Sequence, residues 1–289
     1  MLRTLRPHQW IKNVFVLAPL LFAKEIFDPL LLFRATGAFG VFCLLAGAVY
    51  TMNDIADADA DRLHPVKRYR PIAAERVPVP MAKAIAVALV ACALFGAALG
   101  PPRFAIVALG YFALNVAYSL RLKKIAYLDV GCIAAGFVLR VVGGGYATYI
   151  HVSGYLLACT ALLALFLGFG KRRHELAAAA VNASRQRVAL EAYTPRGLDL
   201  ALGLTSVATV GTYLAYTLDS HTRELFKSNW LWPSTVLVVL AMLRFLQLVR
   251  TRPKAESPTQ EMLKDGPFVA TLLLWAFLVM LVVYNLRPG

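Results

Sequence analysis

The fold of this chain is decided by one stretch, ATGAFGVFCLLAGAVYTMNDIADADADR, residues 35–62. Residues 35–52 are almost entirely apolar, which predicts a helix long enough to cross a bilayer. Aspartates follow at positions 54, 57, 59 and 61. On a continuing helix Asp54, Asp57 and Asp61 share one face, whereas Asp59 projects roughly opposite. Like charges on one face repel each other, so this arrangement predicts a bound cation.

The three aspartates that share a face are predicted to hold a divalent metal ion. Hard cations such as Mg²⁺ take oxygen ligands and usually bridge one or two carboxylates to substrate phosphates. We therefore expect Asp54, Asp57 and Asp61 to bind Mg²⁺, with Mn²⁺ as an alternative ion. The plainer interpretation is a solvated acidic helix start.

A run of cations follows the aspartates in HPVKRYRPI, residues 64–72. Arg side chains bind phosphate through paired hydrogen bonds, and Lys acts as a point charge. Carboxylates that hold a metal beside Lys67, Arg68 and Arg70 would suit a diphosphate. For any single one of these cations, an ordinary positive charge in a cytoplasmic loop is an equal alternative.

Composition places the chain in the membrane. Of 289 residues, 59% are hydrophobic, and the mean hydropathy is +0.63, which indicates an all-α integral membrane protein. The net charge of +14 is explained by basic cytoplasmic loops, so we expect no nucleic-acid partner. The four cysteines lack ligand spacing and are interpreted as small core residues. We see no removable signal peptide.

The hydropathy pattern predicts about nine transmembrane helices. The apolar stretches are 11–33, 35–52, 79–99, 103–120, 125–149, 152–170, 198–218, 230–249 and 267–286. The first is the weakest, because Lys24, Glu25 and Asp28 interrupt it, so eight spans remain an alternative. The two longest loops follow the second and sixth stretches, which suggests two four-helix units around a shared cavity.

Basic residues gather in alternate loops. Most of the 30 Lys and Arg residues lie at the N-terminus and in every second loop, and the other side holds Lys24, Arg34, Arg103, Arg223, Lys227 and Arg287. The positive-inside rule then predicts a cytoplasmic N-terminus and an external C-terminus. It also places the aspartates on the cytoplasmic face of the inner (plasma) membrane.

Further polar residues occur at or near membrane depth, where charge is costly and usually faces a cavity or a partner. Arg140 lies within the fifth stretch, about three turns from Asp129, so the two are not expected to pair within one helix. Gly143, Gly144 and Gly145 follow it and permit either close helix packing or a helix break. The residues expected to bind substrate are Lys12, Asn53, Arg62, Lys67, Arg68, Arg70, Tyr118, Lys123, Arg140, Lys171 and Arg172.

Several motifs together resemble a known family. They are RPHQWIKN (6–13), NDIADADADR (53–62), KRYRPIA (67–73), YSLRLK (118–123), GFVLR (136–140) and GKR (170–172). They resemble the UbiA superfamily of intramembrane prenyltransferases, and within it the decaprenyl-phosphate phosphoribosyltransferases. The resemblance implies one UbiA-like transmembrane domain over 1–289, with a cavity open to the cytoplasmic face.

The resemblance also implies a reaction. The 5-phosphoribosyl group of phosphoribosyl diphosphate would pass to a polyprenyl (decaprenyl) phosphate in the lipid bilayer, with Mg²⁺ on Asp54, Asp57 and Asp61. The product would be a lipid-linked precursor of cell-wall arabinan. The prenyl chain length and the oligomeric state are not determined by these residues.

One departure from the wider superfamily favours this branch. Typical members carry a second Asp-rich motif between the sixth and seventh helices, but residues 171–197 contain no Asp and instead hold Lys171, Arg172, Arg173, Arg185, Arg187 and Arg196. One acidic motif and one basic wall suit a sugar diphosphate and a lipid monophosphate. The alternatives are a prenyltransferase that joins a prenyl diphosphate to an aromatic acceptor, and a transporter with Asp54 and Arg140 in an ion path.

Overall fold

The computed structural model describes residues 2–63, 67–181, 190, 192–251 and 258–284. Within these ranges the chain is helical and contains no strand. Eight of its helices are long and apolar enough to cross a membrane. The predicted class, an all-α multi-pass membrane protein, is therefore confirmed.

From the second stretch onward each predicted apolar stretch forms an α-helix, although α3 begins six residues earlier and α8 ends eleven residues later than predicted. In chain order they are α1 (Leu2–Leu5), α2 (Ala18–Phe22), α3 (Pro29–Ala56), α4 (Ala58–Arg62), α5 (Val79–Ala98), α6 (Pro102–Leu120), α7 (Leu128–Thr148), α8 (Gly154–Val181), α9 (Pro195–Leu218), α10 (Ser220–Phe226), α11 (Ser234–Thr251), α12 (Pro258–Lys264) and α13 (Gly266–Val283). Short 3₁₀ helices cover Pro7–Leu17, Lys67–Tyr69 and Leu122–Lys124. The eight long apolar helices are α3, α5, α6, α7, α8, α9, α11 and α13.

The first apolar stretch differs from its prediction. It forms the 3₁₀ helix Pro7–Leu17 and the short α2, and Lys24 then adopts a left-handed backbone with φ of 65°. The carboxylate of Asp28 accepts a hydrogen bond from the Leu31 N–H at 2.8 Å, and Pro29 occupies the first turn. Both features favour a new helix start, so residues 29–33 belong to α3.

This irregular N-terminal segment still runs along most of α3. Arg6 contacts Asp54 near the end of α3, and Asn13 contacts Cys43 further back, which is an antiparallel course. With rises of about 2.0 Å in a 3₁₀ helix and 1.5 Å in an α-helix, Pro7–Phe22 covers about 30 Å. That length is close to the thickness of the hydrocarbon core, but this segment is not among the eight long apolar helices, so the predicted count of about nine is approximate.

The glycines of α7 permit close packing, as one of the two interpretations predicted. A Cβ on Gly144 would lie 1.9 Å from the Val16 carbonyl oxygen, and one on Gly143 would lie 2.7 Å from the Phe42 ring. α7 continues through these positions, so no helix break occurs there. The segment before α2 can approach α7 only because these side chains are absent.

The chain divides into two compact units. The first comprises Met1–Arg121 and Gly136–Val152, and the second comprises Leu122–Ala135 and Ser153–Gly289. The core of the first is built around Phe42, Phe104 and Tyr111. The core of the second is built around Phe166 and Phe245, whose rings lie 5.2 Å apart. The division gives two units, but one boundary lies within α7, so they are not successive sets of four helices; the shared cavity and the single domain over 1–289 stay predictions.

Candidate active site

The aspartate run keeps its helical phase across a one-residue break. α3 ends at Ala56 and α4 begins at Ala58, but the Asp57 N–H donates to the Asn53 carbonyl at 2.9 Å and the Asp61 N–H donates to that of Asp57 at 2.8 Å. Asp54 and Asp61 are buried, Asp57 is half-buried, and the side chain of Asp59 is 95% exposed. The prediction that Asp59 projects away from the other three is therefore confirmed.

Arg70 joins the two buried carboxylates. Its Nη1 donates to Asp61 Oδ2 at 2.6 Å and lies 3.3 Å from Asp54 Oδ1. Arg6 contacts the same Asp54 oxygen through Nη2 at 2.5 Å. The side chains of Arg6 and Arg70 are 26% and 27% exposed, whereas those of Asp54 and Asp61 are 2% and 4% exposed. We call these four residues the Asp54 cluster. Its cations face solvent while its anions do not.

Local structure holds Arg70 in this position. It follows the 3₁₀ turn Lys67–Tyr69, and its N–H donates to the Lys67 carbonyl at 2.9 Å. Two residues later, Ile72 is buried with Ala58 and Val77 in a small apolar cluster. Burying Ile72 anchors the loop against α4, so the guanidinium is directed back toward the aspartates. His64, Pro65 and Val66 lie outside the described residues.

The donor set fits a metal ion that arrives with an anion, and does not form a complete metal cage. Among the described residues no group of three or more His, Cys, Asp or Glu side chains is arranged to hold a metal. Asp54 and Asp61 nevertheless converge on one atom of Arg70, so their oxygens already share a single positive charge. Mg²⁺ commonly uses one or two carboxylates and completes its shell with phosphate oxygens and water.

The remaining predicted substrate-binding residues of the first unit are mostly accessible. Lys12, Lys67 and Arg68 are exposed, and Asn53 and Tyr118 are half-buried. Arg68 Nη2 donates to the Tyr69 hydroxyl at 2.7 Å. Arg62, in contrast, pairs on the surface with Asp59 at 2.8 Å and with Glu75 at 3.2 Å. The structure thus brings Arg70 to the aspartates and keeps Lys67 and Arg68 exposed at the surface.

Arg140 is buried in the first unit and has neutral partners. Its Nε donates to Asn13 Oδ1 and its Nη2 to the Tyr111 hydroxyl, both at 2.7 Å, and Nη1 donates to the Gly136 carbonyl at 2.9 Å. The guanidinium also lies over the Tyr111 ring. As expected, it does not pair with Asp129. This network braces the N-terminal segment against α6 and α7, a role that sequence reasoning missed for Tyr111.

The second unit contains a separate ion-pair network, here called the Asp129 cluster. Arg172 Nε donates to Asp129 Oδ2 at 2.6 Å, and its Nη1 pairs with Glu175. The Tyr193 hydroxyl donates to Asp129 Oδ1 at 2.5 Å and accepts from the Tyr127 N–H at 2.7 Å. The side chains of Arg172 and Asp129 are 2% and 0% exposed. These contacts tie α7, α8 and the segment before α9 together.

Tyr193 lies outside the membrane-spanning helices, and its environment keeps it neutral. Burial raises the pKa of the Tyr193 hydroxyl above its ordinary value, and the hydrogen bond that it donates to Asp129 raises the pKa further. A neutral hydroxyl remains a donor, so Asp129 keeps two partners throughout the physiological range.

The other predicted residues of this unit are more accessible. Lys123 and Lys171 are half-buried, and Lys171 lies 4.0 Å from Glu175. Arg173 pairs with Asp199 at 2.9 Å at the surface. Arg185 and Arg187 of the predicted basic wall lie outside the described residues. In the described part of that wall, Lys171, Arg172 and Arg173 each lie near a carboxylate, whereas Arg196 is exposed.

Sequence reasoning did not select Arg6 or Tyr193 as site residues. Arg6 is 48 positions from Asp54, and Tyr193 is 64 positions from Asp129. No periodicity connects such distant residues. A usable signal existed in each buried carboxylate, since Asp54 and Asp129 at helix ends near the membrane require a cationic or donor partner.

Together these features define a multi-pass membrane protein of the all-helical class with charged clusters at helix ends. The chain belongs to the UbiA prenyltransferase family, whose sequence profile matches residues 13–263.

Two curated relatives are similar over most of the chain. A decaprenyl-phosphate phosphoribosyltransferase of Corynebacterium glutamicum is 35% identical over 98% of this chain and 86% of the relative. A protein of the same name from Mycobacterium tuberculosis is 37% identical over 84% of this chain and 81% of the relative.

A solved structure shares the fold. A UbiA homologue from Archaeoglobus fulgidus, bound to GPP and Mg²⁺, superposes with a TM-score of 0.71 at 20% identity, covering 98% of this chain and 99% of that one. The fold expected from the sequence is therefore confirmed.

Proposed function

We propose that this protein transfers the 5-phosphoribosyl group of phosphoribosyl diphosphate to a polyprenyl phosphate such as decaprenyl phosphate, and releases diphosphate. The observation that carries the proposal is similarity over nearly the whole chain to a decaprenyl-phosphate phosphoribosyltransferase. The Asp54 cluster supports it, because two carboxylates and two partly exposed guanidinium groups match a diphosphate that binds with a cation.

The Asp54 cluster would bind the donor. Asp54, Asp57 and Asp61 would hold a divalent ion, which in the proposed enzyme is Mg²⁺, and a UbiA homologue bound to Mg²⁺ supports this choice. When bound, the ion neutralises charge on the departing diphosphate. Binding an ion at Asp54 and Asp61 would release Arg70 from these carboxylates. Its guanidinium would then pair with diphosphate oxygens a few ångströms away.

Three further cations would complete the donor site. Arg6 shares Asp54 with Arg70, and Lys67 and Arg68 are exposed on the turn before Arg70. These side chains would orient the diphosphate or the 5-phosphate of the donor and stabilise the charge that develops as the C1–O bond breaks. Donors positioned in advance for such charge contribute about 3–4 kcal/mol each in other enzymes.

The acceptor would need no general base. A phosphomonoester has a second pKa of about 6, so the polyprenyl phosphate is largely a dianion at neutral pH. One of its oxygens would attack C1 of the ribose, and the diphosphate would leave with the bonding electron pair. Lys123 and Lys171 are the accessible candidates for holding the lipid phosphate. Arg140 and Arg172, which are buried with protein partners, would instead position the elements around them.

The reaction would take place at the cytoplasmic face of the plasma membrane. The supporting observation is the loop charge, since the basic loops occur on the side where α3 ends in the aspartate run. The polyprenyl tail would remain among the apolar helices. The product would be a lipid-linked ribose 5-phosphate that can serve as a precursor of arabinan.

The proposal can be tested with the purified full chain in nanodiscs. With Mg²⁺, decaprenyl phosphate and phosphoribosyl diphosphate labelled in the ribose, we expect label in the organic phase, and chelation of divalent ions should abolish it. In a parallel reaction, labelled geranyl diphosphate and 4-hydroxybenzoate should give no product. Product from the prenyl diphosphate, with none from the phosphoribosyl donor, would favour the aromatic prenyltransferase instead.

A transporter would behave differently. Transport predicts that proteoliposomes show flux of the phosphorylated sugar in the absence of polyprenyl phosphate. We expect no such flux, because the charged Asp54 cluster lies at a helix end and not along a path through the helices.

A further inference from the structure

The connection between α9 and α11 contains a cavity that the proposed reaction does not use. Its volume is about 350 Å³, and it is lined by Arg223, Glu224, Lys227, Ser228, Asn229 and Trp230. This volume falls within the range of small-ligand sites, which is roughly 300–1,000 Å³. The lining carries two positive charges and one negative charge, so an anion is the favoured occupant.

Arg223 has unused hydrogen-bonding capacity at this cavity. Its Nε is buried and donates to no residue that the structure describes. Within the described residues its guanidinium also forms no ion pair, although Glu224 is its neighbour in sequence. A buried N–H without an acceptor is costly, so this atom predicts an acceptor that is not part of the described chain.

Lys227 stands at a position that usually favours glycine. It ends the short helix α10 with φ of 49° and ψ of 38°, in the left-handed region. Its N–H donates to the Glu224 carbonyl, and the Ser228 N–H donates to that of Arg223, both at 3.2 Å. This is the usual left-handed ending of a helix, at which a lysine is less favourable than glycine. Complementing the helix dipole would explain a cation here, but not the unpaired Arg223 Nε.

The surroundings of the cavity are typical of a membrane interface. Trp230 and Trp232 are 65% and 47% exposed and lie just before α11 begins at Ser234. Exposed tryptophans gather at the level of lipid headgroups. The loop charges place Arg223 and Lys227 on the side of the membrane opposite to the aspartate run.

We propose that this cavity binds the phosphate group of an anionic membrane lipid on the external face. The phosphate would accept hydrogen bonds from Arg223 and be attracted by the positive charge of Lys227. Trp230 and Trp232 would pack beside the glycerol and the upper acyl region. A free phosphate ion offers the same oxygens, but it makes no use of the exposed tryptophans.

The test is lipid binding to the delipidated full chain, measured by native mass spectrometry in one detergent. The probes are phosphatidylglycerol, uncharged diolein and inorganic phosphate. The variants are Arg223→Gln, which keeps a polar side chain, and Lys227→Gly, which removes the charge and suits the left-handed backbone. Arg34→Gln is the matched control, because it removes one cation that the loop charges place on the same face, where Arg34 lies over the Tyr149 ring.

We expect the dissociation constant of one phosphatidylglycerol to rise about tenfold in Arg223→Gln and in Lys227→Gly, the size expected for one charge-assisted hydrogen bond. Arg34→Gln should bind like the wild type, diolein should bind weakly to all, and millimolar phosphate should not displace the lipid. Lys227→Gly should fold at least as well as the wild type, so its result is decisive even where Arg223→Gln is unstable. Equal lipid binding in Lys227→Gly and the control, or phosphate binding that replaces the lipid, overturns the proposal.

Discussion

The Asp54 cluster and the Asp129 cluster contain the same kinds of side chain and differ in access to solvent. Each holds a buried aspartate against an arginine at a distance near 2.6 Å. In the Asp54 cluster the arginines are about one quarter exposed, and Arg70 is shared between two carboxylates. In the Asp129 cluster the Arg172 side chain is buried, and the Tyr193 hydroxyl donates a second hydrogen bond to Asp129.

This difference separates a replaceable pairing from a permanent one. A partly exposed guanidinium that bridges two buried carboxylates can exchange one of them for a ligand oxygen when a cation takes its place at that carboxylate, because water and ligand can reach it. A sealed pair cannot exchange, since either partner would remain charged and unsolvated. We therefore propose that the first cluster binds substrate and that the second supports the structure, and the following four predictions test that proposal.

The largest effect is expected on breaking the sealed pair. Arg172→Met leaves Asp129 without its cation, and the loss of one partner of a buried pair costs about 3–5 kcal/mol of stability. Arg173→Met is the matched control, because Arg173 pairs with Asp199 at the surface, where such pairs contribute about 1 kcal/mol or less. Thermal unfolding in one detergent would measure both. Equal losses would contradict the contrast between the two clusters.

The next effect concerns activity and not stability. Asp54→Asn and Asp61→Asn should each lower kcat by about 100- to 1,000-fold, the size seen when one electrostatic contact to a transition state is removed. Each variant should still fold, because Arg70 retains the other carboxylate.

Asp59→Asn provides the control within the same run, since Asp59 is exposed and pairs only with Arg62 among the ion pairs of the described residues. Its turnover should stay within about threefold of the wild type, the small effect expected for a surface pair. Full activity in Asp54→Asn and Asp61→Asn would remove the metal assignment.

The third prediction concerns a substitution that weakens the Asp129 cluster without removing a charge. Tyr193→Phe deletes one donor to Asp129 and one acceptor for the Tyr127 N–H, and should cost about 2 kcal/mol, the size expected for a hydrogen bond to a charged group. Tyr155→Phe is a suitable control, since the Tyr155 hydroxyl forms no hydrogen bond within the described residues.

The loss in Tyr193→Phe should not depend on pH near neutrality. The folded-state pKa of Tyr193 is raised, so its neutral form contributes stability fully below about pH 10, its unfolded value, and loses it only as pH rises through the folded value. The difference in melting temperature between the wild type and the variant should be the same at pH 6 and pH 8. A marked change between these values would mean that another group responds.

The smallest effect is expected when the guanidinium of Arg70 is replaced by another cation. Arg70→Lys keeps the charge but loses the planar guanidinium, which contacts both carboxylates through Nη1 alone and could bind diphosphate oxygens through paired hydrogen bonds, so kcat/KM should fall about tenfold. Arg76→Lys, in an exposed part of the same loop, should change nothing. An unaltered Arg70→Lys enzyme would show that the bridge is not part of donor binding.

The long helices were predictable because their cause is local. An apolar run of about 20 residues has few alternatives to a membrane helix, so α5, α9 and α13 begin and end within a few residues of their predicted bounds. The first stretch was harder, because its path depends on contacts with other elements. Val16 lies against Gly144, and no property of residues 11–33 alone shows that contact.

The candidate site divides in the same way. The sequence by itself determined the aspartate face, since helical spacing places Asp54, Asp57 and Asp61 together and leaves Asp59 outside. Only the tertiary structure decided that Arg6 and Arg70 meet at Asp54, and that Arg172 is sealed by Asp129 while Lys171 stays accessible. Local periodicity follows from backbone geometry within one helix, whereas the pairing of distant charges depends on which helices pack together and on how much water the packing excludes.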